Sequence, residues 1–191
     1  LVPVRQNLPS ASTGGRRILS TVMADALVIA KGFKNPIRHE EFQGGVYEGQ
    51  WSNGLPNGKG KWTHPNGDLC EGDWVKGKRH GKGKYTWPDG EVYEGDWVEG
   101  KRHGKGPYTW SSGEVYEGDW VEDKKHGKGM FTWPSGQVYE GDWVEGNKQG
   151  KGKRTSPSGQ VYEGDWVDGW MHGKGKMLYM PSGQVYEGDW V

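Results

Sequence analysis

Cysteine is nearly absent. Cys70 is the only one in 191 residues, which excludes an internal disulfide framework and every multi-cysteine zinc pattern and fits a reducing, cytoplasmic setting. An excess of either charge is absent too. The 25 basic and 25 acidic residues balance to a net charge of zero, which speaks against a nucleic-acid binder that neutralises many phosphates at once. Long apolar runs are also missing: the longest, Ala26 to Ala30, falls far short of the roughly 18 to 20 residues that cross a bilayer as a helix. Apolar residues make up only 31% of the chain, and Leu, Ile and Val are too scarce for an ordinary core.

Glycine, with 35 residues, and tryptophan, with 12, are what the chain has instead. Burial must therefore come from aromatic rings, and the glycines recur with a period rather than marking a flexible linker. The stretch YEGDWVEGKRHGKG at Tyr93–Gly106 returns, barely altered, at Tyr116–Gly129. Units begin at Tyr47, Cys70, Tyr93, Tyr116, Tyr139, Tyr162 and Tyr186, spaced by 23 residues except for a last interval of 24. A fixed period of this length marks a repeat array, here six full units and the start of a seventh over residues 47–191. The one added residue, in KMLYMPSG, is of the kind a bulge or longer turn absorbs.

Within a unit, YEGDWV alternates. Tyr93, Gly95 and Trp97 fall on one face of an extended strand, and Glu94, Asp96 and Val98 on the other. Gly104, Gly106, Tyr108 and Trp110 share one parity of a second strand, opposite to Lys105, Pro107 and Thr109. The segments EGKRHG and PDG, PSG or SSG read as the turns, so each unit is a β-hairpin. Glycines beside the aromatics leave room for a ring to lie against backbone; those in turns supply φ > 0, and Asp123, standing at a glycine position, tolerates the same conformation. Helix is disfavoured, because each glycine costs about 0.8 to 1 kcal/mol there against alanine.

Residues 1–46 differ. Leu1 to Ala24 carry Arg5, Arg16 and Arg17 and no acid until Asp25, a composition shared with transit peptides; the alternative is a start at Met23 with in-frame upstream sequence before it. The segment is expected to be a disordered extension, and a chain that opens on Leu1 and stops at YEGDWV reads as a fragment.

YEGDWVEGKRHGKGKYTW-like units, with Tyr, Gly, Trp, Gly and Gly at fixed offsets, resemble the MORN repeat, the membrane occupation and recognition nexus. The resemblance covers about three quarters of the chain. It implies an all-β, elongated, twisted, single-layer antiparallel sheet of tandem hairpins, and a non-catalytic scaffold or adaptor for protein–protein interaction, in ciliary or cytoskeletal assemblies for instance. Two alternatives come with it: a membrane-apposition module that binds acidic phospholipid, and the regulatory array of a larger enzyme such as a phosphatidylinositol phosphate kinase. Departures are Cys70 at a leading Tyr position, and Arg154 and Ser156 where other units carry aromatics, which makes the fifth unit the expected weak point.

Several constellations reduce to by-products of the repeat. His80, His103, His126 and His172 recur at one offset, but equivalent residues two strands apart lie about 10 Å from each other, too far to share one zinc ion; they read as turn residues. GDWVKGKR and GDWVEGKR approach a phosphate-binding loop, yet Arg79 and Arg102 stand where a hydroxyl is required and no helix follows. Repeated Glu and Asp beside Lys read as cross-strand charge pairs, and Cys70 as a small buried hydrophobe. No catalytic residue, metal or cofactor is expected. Two surfaces remain. An aromatic face comprising Tyr93, Tyr116, Tyr139, Trp74, Trp97, Trp120, Trp143 and the exposed Trp170 is expected to form a groove for an extended segment or helix of a protein partner. A basic edge comprising Lys78, Arg79, Lys82, Lys101, Arg102, Lys105, Lys124, Lys125 and Lys128 is expected to contact acidic lipid.

Overall fold

The computed structural model describes residues 37–191; the readings of a transit-like segment and of a start at Met23 lie outside the described residues. Fourteen strands follow one another: β1 (Ile37–Phe42), β2 (Gly45–Ser52), β3 (Leu55–Thr63), β4 (Leu69–Val75), β5 (Lys78–Thr86), β6 (Val92–Val98), β7 (Lys101–Thr109), β8 (Val115–Val121), β9 (Lys124–Thr132), β10 (Val138–Val144), β11 (Asn147–Thr155), β12 (Val161–Val167), β13 (Trp170–Tyr179) and β14 (Gln184–Trp190). They form one sheet in sequence order, each paired with its chain neighbours, and no helix occurs among the described residues. The alternation that predicts this sheet is visible in burial, with Tyr93, Gly95 and Trp97 of β6 buried while Glu94 and Val98 are exposed. One strand precedes the array, since β1 pairs Glu40 with Tyr47.

Each hairpin closes more tightly than EGKRHG suggests. Only Glu99 and Gly100 form the turn, with φ of 51° and 87°, as a two-residue loop with both centres left-handed requires. Asp123 has a φ of 69°, so it takes the conformation expected of it. Lys101, Arg102 and His103 therefore already belong to β7, and the repeated histidines are strand residues rather than turn residues: His103 pairs with Asp96, and His80 with Asp73. The added residue of the last full unit is taken up in the turn before β14, where the Gly183 N–H bonds back to the Tyr179 carbonyl.

A bulge follows the tight turn of each repeat hairpin, though not that between β1 and β2. In β4–β5 the register passes from Asp73↔His80 to Gly72↔Gly83, so Gly81 and Lys82 have no partner across the hairpin. The same step recurs in β8–β9 between Gly118 and Asp119. Gly81, Gly104 and Gly127 take φ of 62°, 57° and 58° at this point, which side-chain-bearing residues rarely adopt. The N–H that the bulge frees is captured by the repeated Asp: Lys105 N–H donates to Asp96 Oδ2 at 3.2 Å and Lys151 N–H to Asp142 Oδ2 at 3.1 Å. Two extra residues preserve side-chain parity but bend the strand. Because every hairpin bends at the same place, the sheet folds along a line and its charged face becomes a trough.

The opposite face holds the core. A Cβ on Gly106 would stand 2.8 Å from the Gly95 Cα and 2.9 Å from Tyr93 Cε2, so the phenol lies flat on two glycine backbones that no other residue could replace. The Tyr93 hydroxyl donates to the Asp96 carbonyl at 2.9 Å, and Tyr116 and Tyr162 repeat this bond at the same distance. Trp97 and Trp120 then close on Tyr93 edge-on, with ring centroids 5.1 and 5.7 Å away. Each tyrosine is thus clamped between the tryptophans of its own and the following unit, and Trp120 Nε1 donates to the Gly106 carbonyl at 2.8 Å. A single-layer sheet buries a core in this way, without a second layer.

Trp120, only 3% exposed, touches both flanking tyrosines, so Trp120→Ala should cost about 3 to 5 kcal/mol, and because repeats contact only their neighbours the loss should begin locally. Hydrogen exchange resolved by strand should show β7 to β9 losing protection first. Trp170→Ala, at a position 78% exposed, should change the unfolding midpoint by less than about 0.5 kcal/mol.

Candidate functional site

The expected aromatic groove is not a groove. Tyr93, Tyr116 and Tyr139 are 0% exposed and Trp74, Trp97, Trp120 and Trp143 only 3 to 4%, because the clamp just described is itself covered by cations. Arg79 lies 4.2 Å from the Trp97 ring centroid, Arg102 4.4 Å from that of Trp120, and Lys125 4.3 Å from that of Trp143. Glycine, tyrosine, tryptophan and cation form four successive levels outward from the backbone. Trp170 stands apart from this row. It opens β13 opposite Val167 and is the one tryptophan of the described residues left largely exposed.

Of the residues read as a basic edge, Arg79, Arg102 and Lys125 therefore sit on the aromatic side, held over rings, and Arg102 Nε also meets Asp123 Oδ1 at 3.0 Å. Lys82, Lys105 and Lys128 project from the other face, where they pair with Asp96, Asp119 and Asp142 at 2.7, 2.8 and 2.6 Å. Lys78, Lys101 and Lys124 reach across the hairpin rim to Glu99, Glu122 and Glu145. Those exposed rim pairs hold the carboxylates of Glu99 and Glu145 below their usual range, chiefly through the lysine hydrogen bond. The nine cations are distributed over two faces and the rim, and each has an acid or a ring for a partner. Sequence parity alone could have separated Arg102 from Lys101 and Lys105; reading KRH as a turn concealed it.

The concave surface lies on the charged face. A trough of about 1940 Å³ runs across the strands from Glu71 to Gly188, floored by paired glycines such as Gly83↔Gly95 and Gly106↔Gly118. Its walls are Lys and Glu side chains in cross-strand rows. No cluster of His, Cys, Asp and Glu among the described residues could hold a metal ion. Cys70 is 1% exposed and its thiol is pushed up to about 12 by burial, so it is a packing residue and not a nucleophile. Among the described residues no helix is long and apolar enough to cross a membrane.

A family model described as the MORN repeat matches six consecutive segments: residues 47–69, 70–92, 93–115, 116–138, 139–161 and 162–183. Comparison with curated proteins finds no match. Among solved structures, the chain is similar to the TCP domain of Drosophila melanogaster SAS-4 (dCPAP), in complex with a proline-rich motif of Ana2 (dSTIL), at 13% identity and a TM-score of 0.46, covering 97% of each chain. It is also similar to the TCP10 domain of Danio rerio CPAP in complex with a STIL peptide, at 15% identity and a TM-score of 0.43, covering 76% of this chain and 68% of that one. Likenesses this remote carry no functional argument.

Lys125 supplies a titration that reports on the cation level. Burial, with repulsion from Lys148 second, pushes its ammonium down to about 8, below the ordinary value of about 10.4. Between those values the unfolded chain binds a proton that the folded chain lacks, so this group's destabilisation is full below pH 8 and is relieved as pH rises toward 10. The urea midpoint of the wild type should accordingly gain on that of Lys125→Met between pH 7 and pH 9.5. A difference that does not vary with pH would show that the amine keeps its ordinary value.

Proposed function

Since the chain belongs to the MORN-repeat family, we propose that it is a non-catalytic scaffold that holds an extended segment of a protein partner along the trough of its charged face. The observation that supports this reading is the trough itself. It is continuous over more than five repeat units, and no element of the described residues covers it. The aromatic face is closed by its own tyrosines, tryptophans and cations, so it holds the scaffold straight and leaves binding to the other side. The nine cations once read as a lipid-contacting edge are engaged with acids or rings in the free molecule, and an acidic membrane would have to displace those partners.

Selection of random peptides displayed on phage against the folded protein, followed by calorimetry, tests the reading. Enriched peptides should bind at least tenfold more weakly to Met130→Trp, which fills the trough, and within twofold of wild type to Trp110→Ala on the aromatic face, with near-ultraviolet dichroism confirming that both variants fold. Equal affinity for both variants would remove the trough from the mechanism. Sedimentation with acidic but not neutral vesicles, without peptide enrichment, would replace the scaffold reading by the membrane one.

A further inference from the structure

The floor of the trough carries a charge ladder with a gap. Reading across the strands, Glu48 pairs with Lys61, Lys61 with Glu71, Glu71 with Lys84 and Lys84 with Glu94; at the far end Glu140 pairs with Lys153, Lys153 with Glu163, Glu163 with Lys176 and Lys176 with Glu187. Acid and base alternate strand by strand. In the middle they do not: Pro107 stands opposite Glu117, and Met130 stands opposite Glu117 and Glu140. Two lysines of the ladder are thus replaced by apolar residues, and both replacements line the trough. Glu94, Glu117 and Glu140 are exposed, and none of the three makes an ion pair among the described residues. The parallel row of Asp96, Asp119 and Asp142 is fully matched by Lys82, Lys105 and Lys128, so the imbalance is confined to this one row.

Stability does not account for the gap. Proline inside a sheet removes a ladder hydrogen bond, and the register between β6 and β7 passes directly from Tyr93↔Tyr108 to Asp96↔His103, whereas the equivalent Glu71↔Lys84 and Gly72↔Gly83 pairs are kept in β4–β5. Pro107 weakens the sheet at its centre, where a lysine would have closed both the hydrogen-bond ladder and the charge ladder.

We propose that Glu94, Glu117 and Glu140, with Pro107 and Met130 between them, form the recognition site of the trough, and that its occupant is a polyproline II segment of a partner protein with Arg or Lys at every third residue. The period selects the conformation. Equivalent glutamates lie two strands apart, about 9.6 Å at the usual spacing of 4.8 Å. A polyproline II helix rises about 3.1 Å per residue with three residues per turn, so side chains at i, i+3 and i+6 project on one side about 9.3 Å apart. A β-strand sends residues i and i+3 to opposite sides, and two turns of α-helix advance about 10.8 Å, a mismatch of about 2.4 Å over the three glutamates. Between the cations, proline rings would lie on Pro107 and the Met130 side chain; the central guanidinium would meet Glu117, which has no lysine opposite it on either side, and the outer two would meet Glu94 and Glu140, which keep one lysine each, Lys84 and Lys153.

The proposal rests on the trough being the binding surface but tests separately from it. A fluorescent peptide of about fifteen residues repeating Pro-Pro-Arg is titrated into the wild type and followed by anisotropy, alongside an isomer with its arginines in one block and a Pro-Pro-Glu counterpart. The periodic peptide should bind at least tenfold more tightly than the blocked isomer, weaken with salt, and outbind the acidic peptide at every ionic strength. Glu117→Gln should lose about tenfold. The double variant Pro107→Lys with Met130→Lys, which restores the ladder and should unfold at an equal or higher urea concentration, should lose binding altogether, so that loss cannot be ascribed to misfolding. Equal affinity of the periodic and blocked peptides, or full binding by the double variant, would overturn the proposal. If display-selected peptides occupy the trough while the periodic basic peptide does not bind, the scaffold reading stands and this assignment of its partner falls.

Discussion

The tyrosine hydroxyl at the start of each unit is the fixed point from which the remaining architecture follows. To donate to the carbonyl of the Asp at the bulge, the phenol must cross the width of two strands lying flat, which is possible only where both backbones beneath it are glycine. The bulge that brings this carbonyl within reach also frees an N–H, which the side chain of the same Asp accepts. Burying the phenol raises its pKa, to about 12 for Tyr47 and further for Tyr93, with desolvation the main cause. Where the tyrosine is missing, the consequence is visible. Cys70 cannot span the gap, and the buried core divides there into one cluster around Tyr47, Trp51 and Trp74 and another that runs on from Tyr93.

That constraint explains why so much of the fold was legible in the chain and why the site was not. Strand order and the faces of the Tyr, Gly and Trp at the repeated offsets of YEGDWV follow from period-two alternation within a 23-residue unit, whereas β1 lies outside the repeat and Trp170, opposite Val167, falls off the aromatic face. The hairpin turn was drawn too wide because KRHG looks like turn sequence; the two-residue loop is set by Glu99 and Gly100, and Gly104 takes its positive φ at a bulge several residues later. Which face would be concave could not be read from alternation at all. It depends on six bulges adding in phase, a property of pairing across strands. The burial of the aromatic row is not legible either: a ring covered by a neighbouring unit's ring and by a cation of the adjacent strand, some eighteen residues away in the chain as Arg79 is from Trp97, has no local signature.

A division of labour between the faces results. Every residue of the aromatic face is bound by several others, so a change at Tyr116 or Trp120 disturbs glycines, bulge and cation together. The charged face is different in kind. Its cross-strand pairs are exposed to water and contribute about 0.2 to 1 kcal/mol each, and surface ion pairs of this sort have little hold on the fold. Residues of the trough can therefore depart from the repeat while the scaffold beneath them keeps its geometry.

Departures from the repeat then carry different meanings according to the face on which they fall. Arg154 and Ser156, which replace an aromatic pair on the core side, take ring contacts away from Trp166: Phe131 approaches Trp143 to 6.2 Å, and Arg154 offers no ring to repeat that contact one unit on. They are losses of packing. Pro107 and Met130 fall on the trough side, in adjacent units and at one offset, where they take nothing from the aromatic core, leave Glu117 with no lysine opposite it and leave Glu94 and Glu140 with one each. A repeat whose core is rigidly specified and whose opposite face is nearly free of stability constraints can acquire a binding specificity from two substitutions, and one of them, Pro107, gives up sheet hydrogen bonding at the centre of that face.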